Sequence, residues 1–252
     1  MNHEMFDKRQ KLPRIMEIES TSEVLTLNEI ESFNLGNWKI RFIAPNITAL
    51  FLEKAEKEKR LALHIYNKII KPKTSANITN KLTEKECTEF YDYFEHIQTS
   101  VIMMFSAVES LVNVLIPENF IYMKKQKCKE EFQSLDKQKI QRYCSIEDKL
   151  VKILPEALNI ESPNQFRCWK NFKLLKKFRD DIIHTKDENT KLLIDKSIDF
   201  KIFNKIDSAR QLIIDLKKLL LFNNKFPMLE LKEELIIESY KSMEHTNLKK
   251  HE

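Results

Sequence analysis

Apolar residues recur every three or four positions through most of the second half of the chain, and this spacing predicts helices. The longest such pattern begins after Thr83-x-x-Glu86, which has the form of a capping box, and continues for about 30 residues until Pro117. Its most apolar part, Val101–Ile116, is interrupted by polar residues and falls short of the ~20 residues that a membrane span needs. We therefore expect a buried helix here. Its apolar positions are Phe90, Phe94, Ile97, Val101, Phe105, Val108, Leu111 or Val112, and Leu115.

Cap residues and prolines mark the ends of the other predicted helices. The predicted helices are Ile47–Ile70 with Asn46 as the cap, a shorter one from Ser145 that ends before Pro155, one from Ser162-Pro163 to about His184, and roughly Phe200–Phe222.

Alternating apolar and polar residues between positions 13 and 43 indicate two or three short strands, arranged as a meander, with a turn at Asn34–Asn37. Pro72 and the polar stretch Thr74–Asn80 predict a linker. The expected fold class is mainly α with a small α+β N-terminal region. The expected divisions are 1–80, 81–225 for the helical bundle, and a C-terminal tail at 226–252.

Composition removes several classes of function. The chain of 252 residues has one glycine, so the glycine-rich loops of phosphate-binding and dinucleotide-binding motifs are excluded. A formal net charge of +5 permits a polyanionic partner without requiring one, because the charges are interspersed. The four cysteines and six histidines do not have zinc-binding spacing, so no metal is predicted. Scattered thiols and an N-terminus without an apolar signal run favour a cytoplasmic protein.

The strongest candidate for chemistry lies at the end of the helix that leads to His184. Arg179 and His184 are within two turns of each other, and Asp180 shares a face with His184, where its carboxylate could orient the imidazole. An imidazole can transfer a proton, and a guanidinium can hold phosphate oxygens, which together suit phosphodiester cleavage. The same residues could equally be an ordinary helix C-terminus with a surface ion pair.

Arg179-Asp180-x-x-x-His184 resembles the R-x(4–6)-H motif of the HEPN (higher eukaryotes and prokaryotes nucleotide-binding) superfamily. The lead-in Trp169–Phe178, the earlier helix around Phe105–Asn113 and the segment Ser145–Leu150 are similar to the corresponding parts of that family. The resemblance covers about residues 84–222. Residues 1–80 resemble no family that we recognise.

The resemblance implies a HEPN-like helical bundle that cleaves RNA without a metal or another cofactor, by 2′-OH attack. Arg179 would clamp the phosphate, His184 would be the general acid or base, and Asp180 would orient the pair. It also implies a homodimer with a composite site at the interface, and a role in antiphage defence or a toxin–antitoxin system, with an antitoxin or a phage trigger as a further partner.

Further residues could support this site. Glu109 interrupts an apolar run, so it either faces out of the bundle or has a partner, for which Arg179 is the candidate. Asn113 lies one turn further on the same face. Four lysines beside the motif could follow an RNA backbone or could simply form a solvated basic face. They are Lys170, Lys173, Lys176 and Lys177.

Three functions are compatible with these residues. The first is a HEPN endoribonuclease. The second is a HEPN-like module that binds a nucleotide or a protein without catalysis. The third is a helical scaffold in which the motif has no chemical role.

Overall fold

The computed structural model describes residues 7, 9–11, 14–18, 23–75, 82–125, 132–184 and 190–222. It divides the chain into two compact units, one of Met1–Leu50 with Phe226–Glu252 and the other of Phe51–Lys225. The later part of the predicted linker (76–80), the expected break at 185–189 and the predicted tail at 226–252 lie outside the described residues.

The N-terminal unit contains two antiparallel hairpins, formed by pairing of β1 with β2 and of β3 with β4. These two separate sheets replace the expected continuous meander. Gly36 begins the two-residue turn between β3 and β4 with a φ of 59°, which suits glycine at the first turn position of a type II′ hairpin. The strands are β1 (Arg14–Ile18), β2 (Glu23–Leu27), β3 (Ile30–Leu35) and β4 (Trp38–Ile43).

The remainder of the described chain is mostly helical, so the predicted class, mainly α with a small β-containing N-terminal region, is confirmed. The α-helices are α1 (Ile47–Ile65), α2 (Lys71–Ser75), α3 (Glu84–Leu115), α4 (Lys137–Tyr143), α5 (Ile146–Asp148), α6 (Leu154–Leu158), α7 (Trp169–Ile183), α8 (Thr190–Ile198) and α9 (Lys201–Phe222). A short hairpin, β5 (Tyr122–Lys125) with β6 (Phe132–Leu135), follows α3 and was not predicted.

Helix α3 is the centre of the helical unit and packs against α7 and α9. The predicted capping box is confirmed: Thr83 Oγ1 accepts from the N–H of Glu86 at 3.3 Å, and Glu86 Oε2 accepts from the N–H of Thr83 at 2.8 Å. From Ile97 to Leu115 the apolar stripe of α3 is buried as the spacing predicts, whereas the predicted positions Phe90 and Phe94 are half-buried. Its buried apolar members are Tyr93, Ile97, Val101, Met104, Phe105, Ala107, Val108, Leu111, Val112 and Leu115.

Polar contacts attach α1 to this core. The Ser100 hydroxyl donates to the carbonyl of Ala55 at 2.9 Å, in a buried position. Glu58, also buried, lies 2.6 Å from Nδ1 of His96. Burial opposes the charge of Glu58, but hydrogen bonds from Lys54 and His96 outweigh it and hold its pKa below the ordinary value. From Phe51 onward, α1 therefore belongs to the helical unit.

Two helix ends predicted at prolines are wrong, and both errors have the same cause. The helical path continues past Pro72 to Ser75 and past Pro155 to Leu158. In each case a π-helical turn, Tyr66–Ile70 or Lys149–Ile153, precedes the proline. The wider turn displaces the carbonyl that a proline ring would meet in a regular α-helix.

The helix expected from Ser162 begins later, at Trp169. Pro163–Gln165 form only a 3-10 turn. Ser162 does not cap it, because its hydroxyl donates to the carbonyl of Val151 at 3.3 Å. This carbonyl lies four residues before Pro155, whose missing N–H cannot bond to it. Ser162, predicted as a helix cap, thus forms its hydrogen bond with a carbonyl of the preceding helix. The short helix α8 was also not predicted.

Among the described helices, α3 is the one that is long and apolar enough to cross a membrane by length and composition alone. Half of its most apolar stretch is buried inside the protein. The complete helix is longer than its most apolar run, Val101–Ile116, which by itself was expected to be too short for a span.

Replacing Thr83 with alanine should lower the free energy of unfolding by about 1 kcal/mol, because it removes the cap of the longest described helix. Urea denaturation measures this loss. Thr88→Ala is the matched control, since Thr88 lies inside the same helix and is exposed. An equal loss in both variants would contradict the capping contribution.

A fall in pH should destabilise the N-terminus of α3. The hydrogen bond from Lys73, with those from Thr83, lowers the pKa of Glu86 from 4.5 to about 2. A lowered carboxyl pKa contributes stability above pH 4.5 that is lost as the pH falls toward about 2. The stability difference between the native protein and Glu86→Gln should therefore shrink across this range. A difference independent of pH would show that the charge of Glu86 does not contribute.

Candidate functional site

The candidate site is built on α7, whose apolar side is buried and whose last turn carries the predicted motif. Phe172, Leu175 and Phe178 are buried, and α7 packs against α3 and α9. Arg179 follows Phe178 at the edge of this contact, with 22% of its side chain exposed. The predicted end of the helix at His184 is confirmed, since α7 ends at Ile183.

Arg179 is held in place by an aromatic ring of α3. Its Cζ lies 3.9 Å from the ring centroid of Phe105, in cation–π geometry. Phe105 is itself stacked on Phe172, with ring centroids 6.0 Å apart and planes 4° apart. The guanidinium therefore rests on the ring of Phe105, which Phe172 supports from α7, so its position depends on the packing of α3 against α7.

Asp180 is the ionic partner of Arg179, at 2.9 Å between Oδ1 and NH1. Its other oxygen accepts from Lys176 at 3.0 Å. Lys176 also approaches Glu147 at 3.8 Å. The carboxylate of Asp180 thus binds two cations, whereas the helical spacing had suggested a contact with the imidazole of His184.

His184 caps the C-terminus of α7 through its backbone, whose N–H donates to the carbonyl of Asp180 at 2.9 Å. Its side chain is exposed and forms no hydrogen bond or ion pair with any residue that the structure describes. The ring is therefore available to a substrate.

Glu109 has a different partner from the one expected. The expected Arg179–Glu109 pair is not present; Glu109 lies 3.8 Å from the ammonium of Lys149. One turn earlier on α3, Phe105 occupies the place under the guanidinium. Glu109 is 41% exposed at its side chain, so its carboxylate stays in contact with solvent.

Lys149 was not predicted as part of this region. Its side chain is fully buried, and its ammonium donates to Asn113 Oδ1 at 3.0 Å and to the carbonyl of Gln141 at 2.9 Å. Burial lowers the pKa of Lys149, while Glu109 opposes this shift. A signal was present in the sequence, because Lys149 follows Ile146 at the three-residue spacing of the buried side of the helix.

The four predicted RNA-binding lysines separate into two groups. Lys176 is paired with the carboxylates of Asp180 and Glu147. The other three, here called the lysine row, are exposed, share one side of α7 and form no ion pair with a described side chain; they are Lys170, Lys173 and Lys177. At about 100° per residue, Arg179 lies roughly 150° around the helix from this row. One straight RNA segment along the row would not also lie over Arg179.

A cysteine nucleophile is disfavoured at the start of α7. Burial, followed by the nearby Asp215, raises the pKa of Cys168 to about 12. Its thiol therefore stays protonated near neutral pH. Cys144 is also buried, and burial raises its pKa as well. Cys128 lies outside the described residues.

Comparisons with protein-family models, with curated proteins and with solved structures find no match for this chain.

Replacing Lys149 with methionine should lower the free energy of unfolding by about 2 kcal/mol, because two half-buried acceptors, Asn113 Oδ1 and the carbonyl of Gln141, lose their buried donor. Lys152→Met is the matched control. Lys152 is 61% exposed and, among the described residues, pairs only with Asp148, one turn earlier, so this change should cost less than about 1 kcal/mol. Thermal or urea unfolding measures both. Equal effects would show that the buried ammonium is not a structural link.

Proposed function

We propose that this chain is an endoribonuclease of the HEPN type, which cleaves RNA without a metal. The observation that carries the proposal is the arrangement at the end of α7: an arginine fixed over the ring of Phe105, followed by an exposed histidine whose ring has no bond to a described residue. The similarity of Arg179-Asp180-x-x-x-His184 to the family motif supports the same function.

The reaction uses the two side chains in different roles. The guanidinium of Arg179 binds the non-bridging oxygens of the scissile phosphate and stabilises the charge that develops there. The 2′-OH attacks the phosphorus as a general base takes its proton, and the bond to the 5′ oxygen breaks as a general acid protonates the leaving oxygen. The products are a cyclic phosphate and a 5′-hydroxyl end. His184 is the general acid or base.

A homodimer with a composite site fits the positions of these residues. Arg179 and His184 leave the helix about 140° apart if the helical rotation is extended to His184. A second copy can bring its own His184 to a phosphate that Arg179 of the first copy holds. The site is then completed at an interface between the two copies of α7.

The lysine row supplies the electrostatic attraction for RNA. Its three ammonium groups have no carboxylate partner among the described residues, so they are free to bind backbone phosphates. The row lies away from Arg179, and we assign it to nucleotides beside the scissile phosphate. Binding through these lysines should weaken as salt increases.

The biological setting that we propose is cytoplasmic: antiphage defence, or a toxin held by an antitoxin. Activation would then come from loss of the antitoxin or from a phage trigger. This setting follows from the family resemblance and from the scattered cysteines of the sequence.

A second candidate, a non-catalytic HEPN-like module that binds a nucleotide or a protein, is favoured by one observation. Arg179 is already engaged by Phe105 and by Asp180, as expected of an arginine whose role is to join α3 to α7. In that case the motif stabilises the fold, and the exposed surface of α7 binds a partner without chemistry.

The test of the proposed function is cleavage of single-stranded RNA by the purified protein in EDTA. His184→Ala should lower the rate by about 10²- to 10⁴-fold, which is the usual contribution of a general acid or base. His64→Ala is the matched control, because His64 is also exposed, on α1. Cleavage that persists in His184→Ala, or that EDTA abolishes, would contradict the proposed site.

Arg179→Lys separates the two candidates. The change keeps the charge but removes the planar guanidinium, so an enzyme should lose cleavage while remaining folded. Arg142→Lys is the control, since Arg142 also lies over an aromatic ring, that of Tyr143, at 5.4 Å from its centroid. If the native protein does not cleave RNA and Arg179→Lys lowers only its stability, the non-catalytic module is favoured.

A further inference from the structure

Two side chains of the protein itself engage the guanidinium of Arg179. Phe105 covers one face, with Cζ 3.9 Å from the ring centroid. Asp180 contacts one of the terminal nitrogens, with Oδ1 2.9 Å from NH1. Among the described residues, Asp180 is the one ionic partner of Arg179. A phosphate that binds this guanidinium therefore meets a carboxylate that is already in contact with NH1.

Asp180 and an RNA phosphate are competitors for Arg179. Carboxylate and phosphate oxygens bind a guanidinium through the same N–H groups. Two anions beside one cation also repel each other, so each weakens the binding of the other. The side chain of Asp180 is 35% exposed, so it can leave the guanidinium without disturbing the core.

Lys176 gives Asp180 a second cation. Its ammonium donates to Oδ2 of Asp180 at 3.0 Å, from the preceding turn of α7. The side chain of Lys176 is 27% exposed, and Glu147 on α5 approaches the ammonium from another helix at 3.8 Å. The shorter distance makes Asp180 the main partner of Lys176. When a phosphate takes NH1 of Arg179, Asp180 therefore keeps a cation of its own.

The position of Lys176 differs from that of the lysine row. At about 100° per residue, Lys176 lies roughly 60° from Arg179 around α7 and roughly 90° from the row. Both of its ionic contacts among the described residues are carboxylates. Lys173, one turn earlier, is exposed and has no such contact with a described residue. We therefore expect Lys176 to act on RNA binding through Asp180, and the row to act directly.

We propose that Lys176 is a positioning residue for phosphate binding: by retaining Asp180, it makes the guanidinium of Arg179 available to the RNA backbone. The inference rests on the proposed function, which assigns the scissile phosphate to Arg179. It adds that Asp180 weakens substrate binding and that Lys176 limits this loss. Without Lys176, Asp180 pairs with Arg179 alone and excludes the phosphate. The effect is on binding, and proton transfer by His184 does not depend on it.

The test is a double-mutant cycle on the binding of a single-stranded 2′-deoxy oligonucleotide, which lacks the attacking hydroxyl. Fluorescence anisotropy at constant salt gives Kd. Asp180→Asn should tighten binding about tenfold, as expected when one charge-assisted contact is released, and Lys176→Met should weaken binding by a similar factor. In the Asp180→Asn background, Lys176→Met should have no measurable effect. Lys176→Arg, which keeps a cation, should bind as the native protein does.

Matched variants separate this coupling from the general effect of charge. Asp181→Asn removes the same charge at the next residue, whose carboxylate pairs with Lys196 and is 37% exposed. It should tighten binding less than Asp180→Asn does. Lys173→Met should weaken binding equally in the native and the Asp180→Asn backgrounds. The gain from Asp180→Asn should disappear when Arg179→Gln is also present.

Cleavage of RNA of the same sequence by the same variants distinguishes failure of this inference from failure of the proposed function. KM should follow Kd, and kcat should change less than KM. Equal weakening by Lys176→Met in both backgrounds would overturn the inference, because Lys176 would then contact RNA itself. The same coupling in Kd without any cleavage would overturn the proposed catalysis and leave the role of Lys176 in phosphate binding. Absence of binding by the native protein would overturn both.

Far-UV circular dichroism shows whether each variant is folded. Should Lys176→Met fail to fold, the gain from Asp180→Asn decides the question. A gain no larger than that from Asp181→Asn, or one that persists with Arg179→Gln, would also overturn the inference.

Discussion

Burial of the apolar stripe of α3 is the constraint on which the helical unit depends. This helix of 32 residues supplies the side that α7 and α9 cover. The polar groups drawn into the same region are satisfied by bonds to other helices: the hydroxyl of Tyr93 donates to the carbonyl of Ser197, and that of Ser100 to the carbonyl of Ala55. Because buried polar groups are costly when unpaired, these bonds also fix where α8 and α1 lie along α3.

The candidate site is a product of the same packing. Arg179 rests on Phe105, and Phe105 is held by its stack on Phe172, so the guanidinium moves if α3 and α7 shift against each other. Lys149 extends this arrangement further along α3, where it connects Asn113 with the carbonyl of Gln141. A change in the core would therefore reach the site without altering any residue that contacts a substrate. Stability and activity should be measured together in each variant.

Local features of the fold could be predicted from the sequence, whereas partnerships between distant residues could not. The capping box at Thr83 and the end of α7 at His184 depend on residues a few positions apart, so the signal lies within one segment. The partner of Glu109 depends on which distant side chain reaches it. Two cations, Arg179 and Lys149, could have paired with it, and the sequence does not distinguish them. The role of Ser162 was missed for a related reason, because its hydroxyl bonds to Val151 in the preceding helix and not to its own.

The two π-helical turns have a consequence for chain length. Each turn, at Tyr66–Ile70 and at Lys149–Ile153, closes with an N–H bonded five residues back instead of four, from Lys71 to Tyr66 and from Leu154 to Lys149. A π-helical turn contains one residue more than the α-helical turn that would stand in its place. Deleting a single residue within either turn would restore a regular α-helix and bring the following proline against a carbonyl. Related chains should therefore differ in length by one residue at these turns only where the proline is also replaced.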